Sequence, residues 1–165
     1  MRVDQLMTRT VRTCDPTDSL ERAAGIMWDH DCGVLPVVQR NGGADRVVGM
    51  LTDRDVCMAA YTQGRALRDL VVASAMSQQL CTCRSTDAIA VALRVMETNQ
   101  VRRLPVLDGD ECLIGILSLA DLGREAVREH AKAEREVTEQ AIGGALEAIA
   151  APRIQGPLVP VTAAG

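Results

Sequence analysis

The sequence repeats itself, and that repeat constrains the fold more than any other feature. Shifted by 69 positions, Met7 falls on Met76, Thr13 on Thr82, Cys14 on Cys83, Thr17 on Thr86 and Asp18 on Asp87. Further along the same offset, Ala23 meets Ala92, Met27 meets Met96, and Leu35-Pro36-Val37 meets Leu104-Pro105-Val106. The loop around Asn41-Gly42-Gly43 is three residues longer than its counterpart around Asp108-Gly109-Asp110. Beyond it the offset drops to 66, and Val48-Gly49-Met50-Leu51-Thr52 meets Ile114-Gly115-Ile116-Leu117-Ser118. A gap confined to a turn marks two copies of one supersecondary unit, each leaving an apolar face for the other to cover.

Each copy reads as β-α-β-β-α. A short extended segment, Thr10-Val11-Arg12-Thr13 or Gln79-Leu80-Cys81-Thr82, precedes a helix. Asp18 with Glu21 is a capping pattern for that helix. Leu20, Ala23, Ala24 and Met27 form its apolar stripe, matched by Ile89, Ala92, Leu93 and Met96. A strand at Val34-Leu35-Pro36-Val37-Val38, a Gly-rich turn and a strand ending at Leu51 read as a hairpin, with Pro36 announcing an edge or an irregularity. Second helices open at Thr52 and Ser118. The expected organisation is repeat one with its bridge over residues 1–68, repeat two over 69–130, and a peripheral helix and mobile tail over 131–165. That helix is expected from Val137, Ala141, Ala145, Ala148 and Ile149, weakened by Gly143-Gly144.

Composition narrows the function. Of the 165 residues, 47% are hydrophobic, yet aromatics are only Trp28 and Tyr61, so stacking platforms for nucleic-acid bases are absent. A net charge of −4 supplies no general field for a phosphate backbone, and nucleic acid is not an expected partner. No apolar run fits a secretory signal or a membrane span, so the chain is read as cytoplasmic. The six cysteines read as reduced, buried, small apolar residues. Asp29-His30-Asp31-Cys32 holds metal-capable types, but consecutive residues at a helix end do not converge on one ion, and no metal is expected. No nucleophile, base and oxyanion donor assemble and no P-loop appears, so the chain is not read as an enzyme.

One motif can carry chemistry. Both copies end a strand with Gly, a hydroxyl residue and then Asp three positions later: Gly49, Thr52 and Asp55, and Gly115, Ser118 and Asp121. A helix start presents free N–H groups to an anion, and a carboxylate one turn inside accepts from both hydroxyls of a ribose. Gly49 and Gly115 would let a ligand approach closely. The same spacing is also a helix N-cap, so cap and ligand site both stand open.

With the h-x-P-V strand and the Asp18-Ser19-Leu20 opening of the first helix, the doubled motif resembles a pair of cystathionine-β-synthase (CBS) domains, over about residues 1–128. The resemblance implies an α/β (α+β) regulatory module. Two tandem repeats are related by a pseudo-two-fold axis, with sheets packed together and helices outside, and the module commonly forms a disc-shaped homodimer. It also implies clefts for an adenosine compound: AMP, ADP, ATP, S-adenosylmethionine or NAD(H). Asp55 and Asp121 would bind ribose hydroxyls, and Thr52 and Ser118 would contact ribose or phosphate. Val11, Thr13, Leu80, Thr82, Val34, Pro36 and Pro105 would line the base, and Arg54, Arg102 or Arg103 would neutralise phosphate. Arg102 and Arg103 align with Gly33 and Val34, so this cationic pair exists in one repeat only. With no effector domain attached, the output would act on a separate regulated protein. The alternative is a ligand-free structural or dimerisation module, and a third reading is a thiol- or metal-responsive switch.

Overall fold

The computed structural model describes residues 1–41, 44–129 and 137–152. The chain packs as two units, Val11–Leu80 and Met1–Thr10 with Cys81–Gly165. These limits differ from the boundaries read at 68/69 and 130/131, because each unit takes in the stretch of chain that leads into the other repeat.

In the first unit, helix α1 (Leu20–Asp29) precedes an antiparallel hairpin of β1 (Val34–Asn41) and β2 (Ala44–Thr52), followed by helix α2 (Asp53–Gln63). In the second, β3 (Cys83–Arg84), α3 (Ile89–Asn99), β4 (Arg103–Leu107), β5 (Leu113–Ser118) and α4 (Leu119–Glu129) repeat the order, and α5 (Glu139–Ala150) is added. The expected opening strands shift. Residues 10–13 form no strand, and pairing begins one residue later, at the Cys14–Val37 bridge, with its equivalent at Cys83–Val106. Pro36 is tolerated because its carbonyl accepts from Cys14 N (3.2 Å), which puts its missing N–H on a side joined by that single bridge. The irregularity expected there is a register shift between Val37 and Val38.

The borrowed segments close each sheet in the same way. Ser77 exchanges two 2.9 Å backbone hydrogen bonds with Met50 of β2, and Thr8 exchanges two of 2.9 Å with Ile116 of β5. Val72 and Leu70 complete the core of the first unit, as Val3 completes that of the second. Here the two glycines find their reason. A Cβ at Gly49 would lie 2.7 Å from Met76 Sδ and 2.9 Å from Ser77 O, and one at Gly115 would lie 2.7 Å from Met7 Sδ and 3.1 Å from Thr8 O. They admit the borrowed strand rather than a ligand, which corrects the reading above.

The apolar stripes fall where periodicity put them: Leu20, Ala23 and Met27 are buried on α1, and Ile89, Ala92, Leu93 and Met96 on α3. The cap of α1 is Ser19, not Asp18. Ser19 accepts from Arg22 N (3.1 Å), while the Asp18 carboxylate accepts from Asp15 N (2.9 Å) in the preceding turn. Helix α5 starts at Thr138, whose hydroxyl accepts from Ala141 N (3.1 Å). It is more than peripheral: Val137, Ala145 and Ile149 are buried in the second unit's core, between α3 and α4. Residues 131–136 and the tail read as mobile lie outside the described residues, as do Gly42 and Gly43. Among the described residues no helix is long and apolar enough to cross a membrane.

Candidate functional site

The two strand–helix junctions are built alike. Thr52 ends β2 with extended backbone, and its hydroxyl accepts from Asp55 N at 3.2 Å. Asp55 Oδ2 reaches back to accept from both Thr52 N (2.8 Å) and Thr52 Oγ1 (2.7 Å). At the second junction Asp121 Oδ2 accepts from Ser118 N (2.8 Å) and Ser118 Oγ (2.6 Å), and the Ser118 hydroxyl accepts from Asp121 N (3.2 Å). Both are capping boxes, so each helix start satisfies two of its own donors with one oxygen of the aspartate. The hydroxyl protons of Thr52 and Ser118 are spent inside the cap.

The second oxygens differ. Asp121 Oδ1 pairs with Arg124 one turn on, whereas Asp55 Oδ1 takes no hydrogen bond among the described residues. Arg124 is not among the residues singled out from the sequence, although its spacing of three from Asp121 on a helix is the signal that would have found it. Both aspartates are half-buried, which strengthens a charge-assisted bond there relative to open water.

Cross-strand register gathers more of the candidate residues. Val34 pairs with Thr52 and Arg103 with Ser118, so each pair shares one face of its hairpin; Pro36 pairs with Met50 and Pro105 with Ile116. Val34, Pro36 and Pro105 are buried, and Arg103 is exposed. The neighbour of Thr13, Cys14, is hydrogen-bonded to β1, and Thr82 precedes Cys83, which pairs with β4. Val11 and Leu80 are half-buried outside any strand. Arg102 contributes its carbonyl to Leu119 N (2.9 Å) at the start of α4, as Gly33 does to Asp53 N (3.2 Å), and both Arg102 and Arg54 are exposed.

Outside the junctions, an open groove of about 400 Å³ runs along α1 and α2, lined by Ala24, Met27, Trp28, Asp31, Cys32, Gly33, Asp53, Val56 and Cys57. No motif announces it. The signal lies in the repeat alignment, where Ala24, Asp53 and Val56 stand opposite the larger or apolar Leu93, Leu119 and Leu122. The cysteines are not uniformly buried: Cys57 is exposed, and Cys32, Cys81 and Cys112 are half-buried. Burial, with Asp18 and Asp15 nearby, pushes the Cys14 thiol up to about 12, and burial beside Asp87 does the same for Cys83. Both therefore stay protonated and unreactive at neutral pH. Among the described residues no three His, Cys, Asp or Glu side chains cluster to hold a metal.

Comparison with known proteins agrees with this architecture. The CBS domain family model matches twice, over residues 3–61 and 68–127. The CBS domain-containing protein YhcV of Bacillus subtilis is 35% identical over 120 residues, covering 73% of this chain and 81% of YhcV. A homoserine O-acetyltransferase of Methanobrevibacter ruminantium is 34% identical over 116 residues, 70% of this chain but only 22% of that enzyme. Among solved structures, CBSX2 of Arabidopsis thaliana, in its complex with AMP, superposes with a TM-score of 0.66 at 26% identity, covering 77% of this chain and 96% of CBSX2. With the family model matched over both repeats and the same fold in its relatives, the chain belongs to the CBS domain family, as a tandem pair of CBS domains.

Proposed function

We propose that the chain is a regulatory, non-catalytic module that binds an adenosine-containing ligand at its strand–helix junctions and passes occupancy to a separate protein. The observation that carries the reading is the pair of capped aspartates. The cap holds each carboxylate in place through Oδ2. At Asp55 this leaves Oδ1 for a ribose hydroxyl. At Asp121 it leaves an oxygen shared with Arg124. Support from relatives comes from CBSX2, solved in complex with AMP.

In this reading Asp55 and Asp121 take the ribose, while Thr52 and Ser118 orient them. Val34, Pro36 and Pro105 supply aliphatic walls, and Val11, Thr13, Leu80 and Thr82 offer backbone groups to the base. Arg103, opposite Ser118, with Arg102 and Arg124 near the same junction, makes the second-repeat site the one for the more anionic ligand. Arg54 is the single cation proposed for the first. AMP, ADP, ATP, S-adenosylmethionine and NAD(H) all present the required ribose. A homodimer in the cytoplasm is part of the proposal.

A thermal-shift and calorimetric screen with AMP, ATP, NADH and S-adenosylmethionine tests it. Stabilisation by at least one of them, reduced in Asp55→Asn and Asp121→Asn, is expected. Asn keeps the acceptor oxygen of the cap, so these variants fold. Flat responses to all four would leave the second reading, a ligand-free structural module. That reading is favoured by the fact that both aspartates already serve their own helices.

A further inference from the structure

The caps fix each aspartate through Oδ2, and the repeats part company at Oδ1. Asp121 Oδ1 accepts from the guanidinium of Arg124, three residues on along α4. The Asp121 side chain is only 11% exposed and that of Arg124 64%, so a sheltered anion is held by a cation that otherwise lies in solvent. At the offset of 66 the counterpart of Arg124 is Met58, which has neither a charge nor a donor. Asp55 has no ion-pair partner among the described residues. A pair spaced i,i+3 with one exposed member adds little to helix stability, so its consequence lies in what it does to the carboxylate.

The two carboxylates therefore meet a ribose on different terms. At Asp55 a sugar hydroxyl finds an anionic oxygen that takes no hydrogen bond among the described residues. At Asp121 it finds an oxygen that already accepts a charge-assisted bond, the stronger kind. A neutral nucleoside that claims this oxygen sets the guanidinium loose with water alone. A nucleoside phosphate brings a second anion, and a planar guanidinium fork suits phosphate as well as carboxylate. The long, mostly exposed Arg124 side chain can re-orient to such a phosphate. One arginine thus penalises the neutral ligand and rewards the charged one, which is how a difference of affinities arises.

We propose that Arg124 is a specificity-determining residue: through its pairing with Asp121 it sets the second junction against neutral nucleosides and toward nucleoside phosphates. The first junction, with Met58 in that place, lacks this discrimination. The inference rests on the ligand reading given above and names the ligand class at each junction.

The test uses calorimetry with adenosine and AMP on the full chain carrying Asp55→Asn, in which the second junction is read by itself. AMP should bind at least about tenfold more tightly than adenosine. Adding Arg124→Met should weaken AMP and strengthen adenosine, lowering that ratio at least about fivefold, whereas Arg124→Lys, which keeps the charge, should retain most of it. The reciprocal change, Met58→Arg in the chain carrying Asp121→Asn, should create a preference for AMP at the first junction. Both positions are exposed, so these variants fold. A ratio unmoved by Arg124→Met, equal weakening of both ligands, or no preference gained with Met58→Arg would overturn the role of Arg124 and leave the ligand reading standing. Binding of neither probe would overturn it too, and silence of ATP, NADH and S-adenosylmethionine besides would take the ligand reading with it.

Discussion

The two repeats share the order of their elements and the cap of their second helix, yet the grooves beside their helices have opposite fates. In the second unit, Leu93, Leu119 and Leu122 build an apolar floor that α5 covers. In the first, Ala24, Asp53 and Val56 stand at those positions, and the floor stays open. A duplicated sequence therefore duplicates a backbone plan, while a few side chains decide whether a surface becomes core or stays open. The same holds at the junctions, where Asp121 is paired with Arg124 and Asp55 Oδ1 takes no hydrogen bond among the described residues.

The largest expected effect breaks the groove comparison directly. Ile149→Ala, in the filled groove, should cost about 2–5 kcal/mol in denaturant unfolding, the range for truncating a buried branched side chain. Trp28→Ala in the open groove should stay within about 0.5 kcal/mol. Equal losses would mean that the first groove is also core. Next, Gly49→Ala and Gly115→Ala should each destabilise by about 1–3 kcal/mol, because the new methyl meets a methionine sulfur and a backbone carbonyl. Gly49 should be the worse, its carbonyl neighbour being nearer at 2.9 Å against 3.1 Å.

Thr52→Ala and Ser118→Ala should each cost about 1 kcal/mol, the usual value of an N-cap hydroxyl, read as matched falls in melting temperature. Gly25→Ala should act the other way. A Cβ there meets nothing within 4 Å, so helix α1 should gain about 0.5–1 kcal/mol. The smallest effect appears only in alkali. Cys14 and Cys83 are held near 12 against an ordinary 9.0, so above pH 9 the unfolded chain sheds these protons before the folded one does. Stability is full below that pH and falls as pH rises toward 12. Melts of Cys14→Ala and Cys83→Ala should each be less alkali-sensitive than the parent.

Much of this was legible from residue order. The period of 3.6 placed Leu20, Ala23 and Met27 on one buried face, and the Thr52/Asp55 and Ser118/Asp121 spacings announced caps at the junctions where they are found. What was not legible depends on partners distant in the chain. Gly49 and Gly115 look like ligand approaches until Met76 and Met7 arrive from the segments that lead into the other repeat. Asp18 fits a cap as well as Ser19 does by spacing alone, and the turn that claims its carboxylate through Asp15 N decides between them. Helix α5 has a weak stripe interrupted by Gly143-Gly144, and only the packing on α3 and α4 shows that it belongs to the core.

The central claim is that the two capped aspartates hold adenosine ligands with unequal strength. Isothermal titration of the intact chain with ATP should give two sites, the tighter weakened by Asp121→Asn and the weaker lost in Asp55→Asn. No heat, or a single site indifferent to both substitutions, would contradict it.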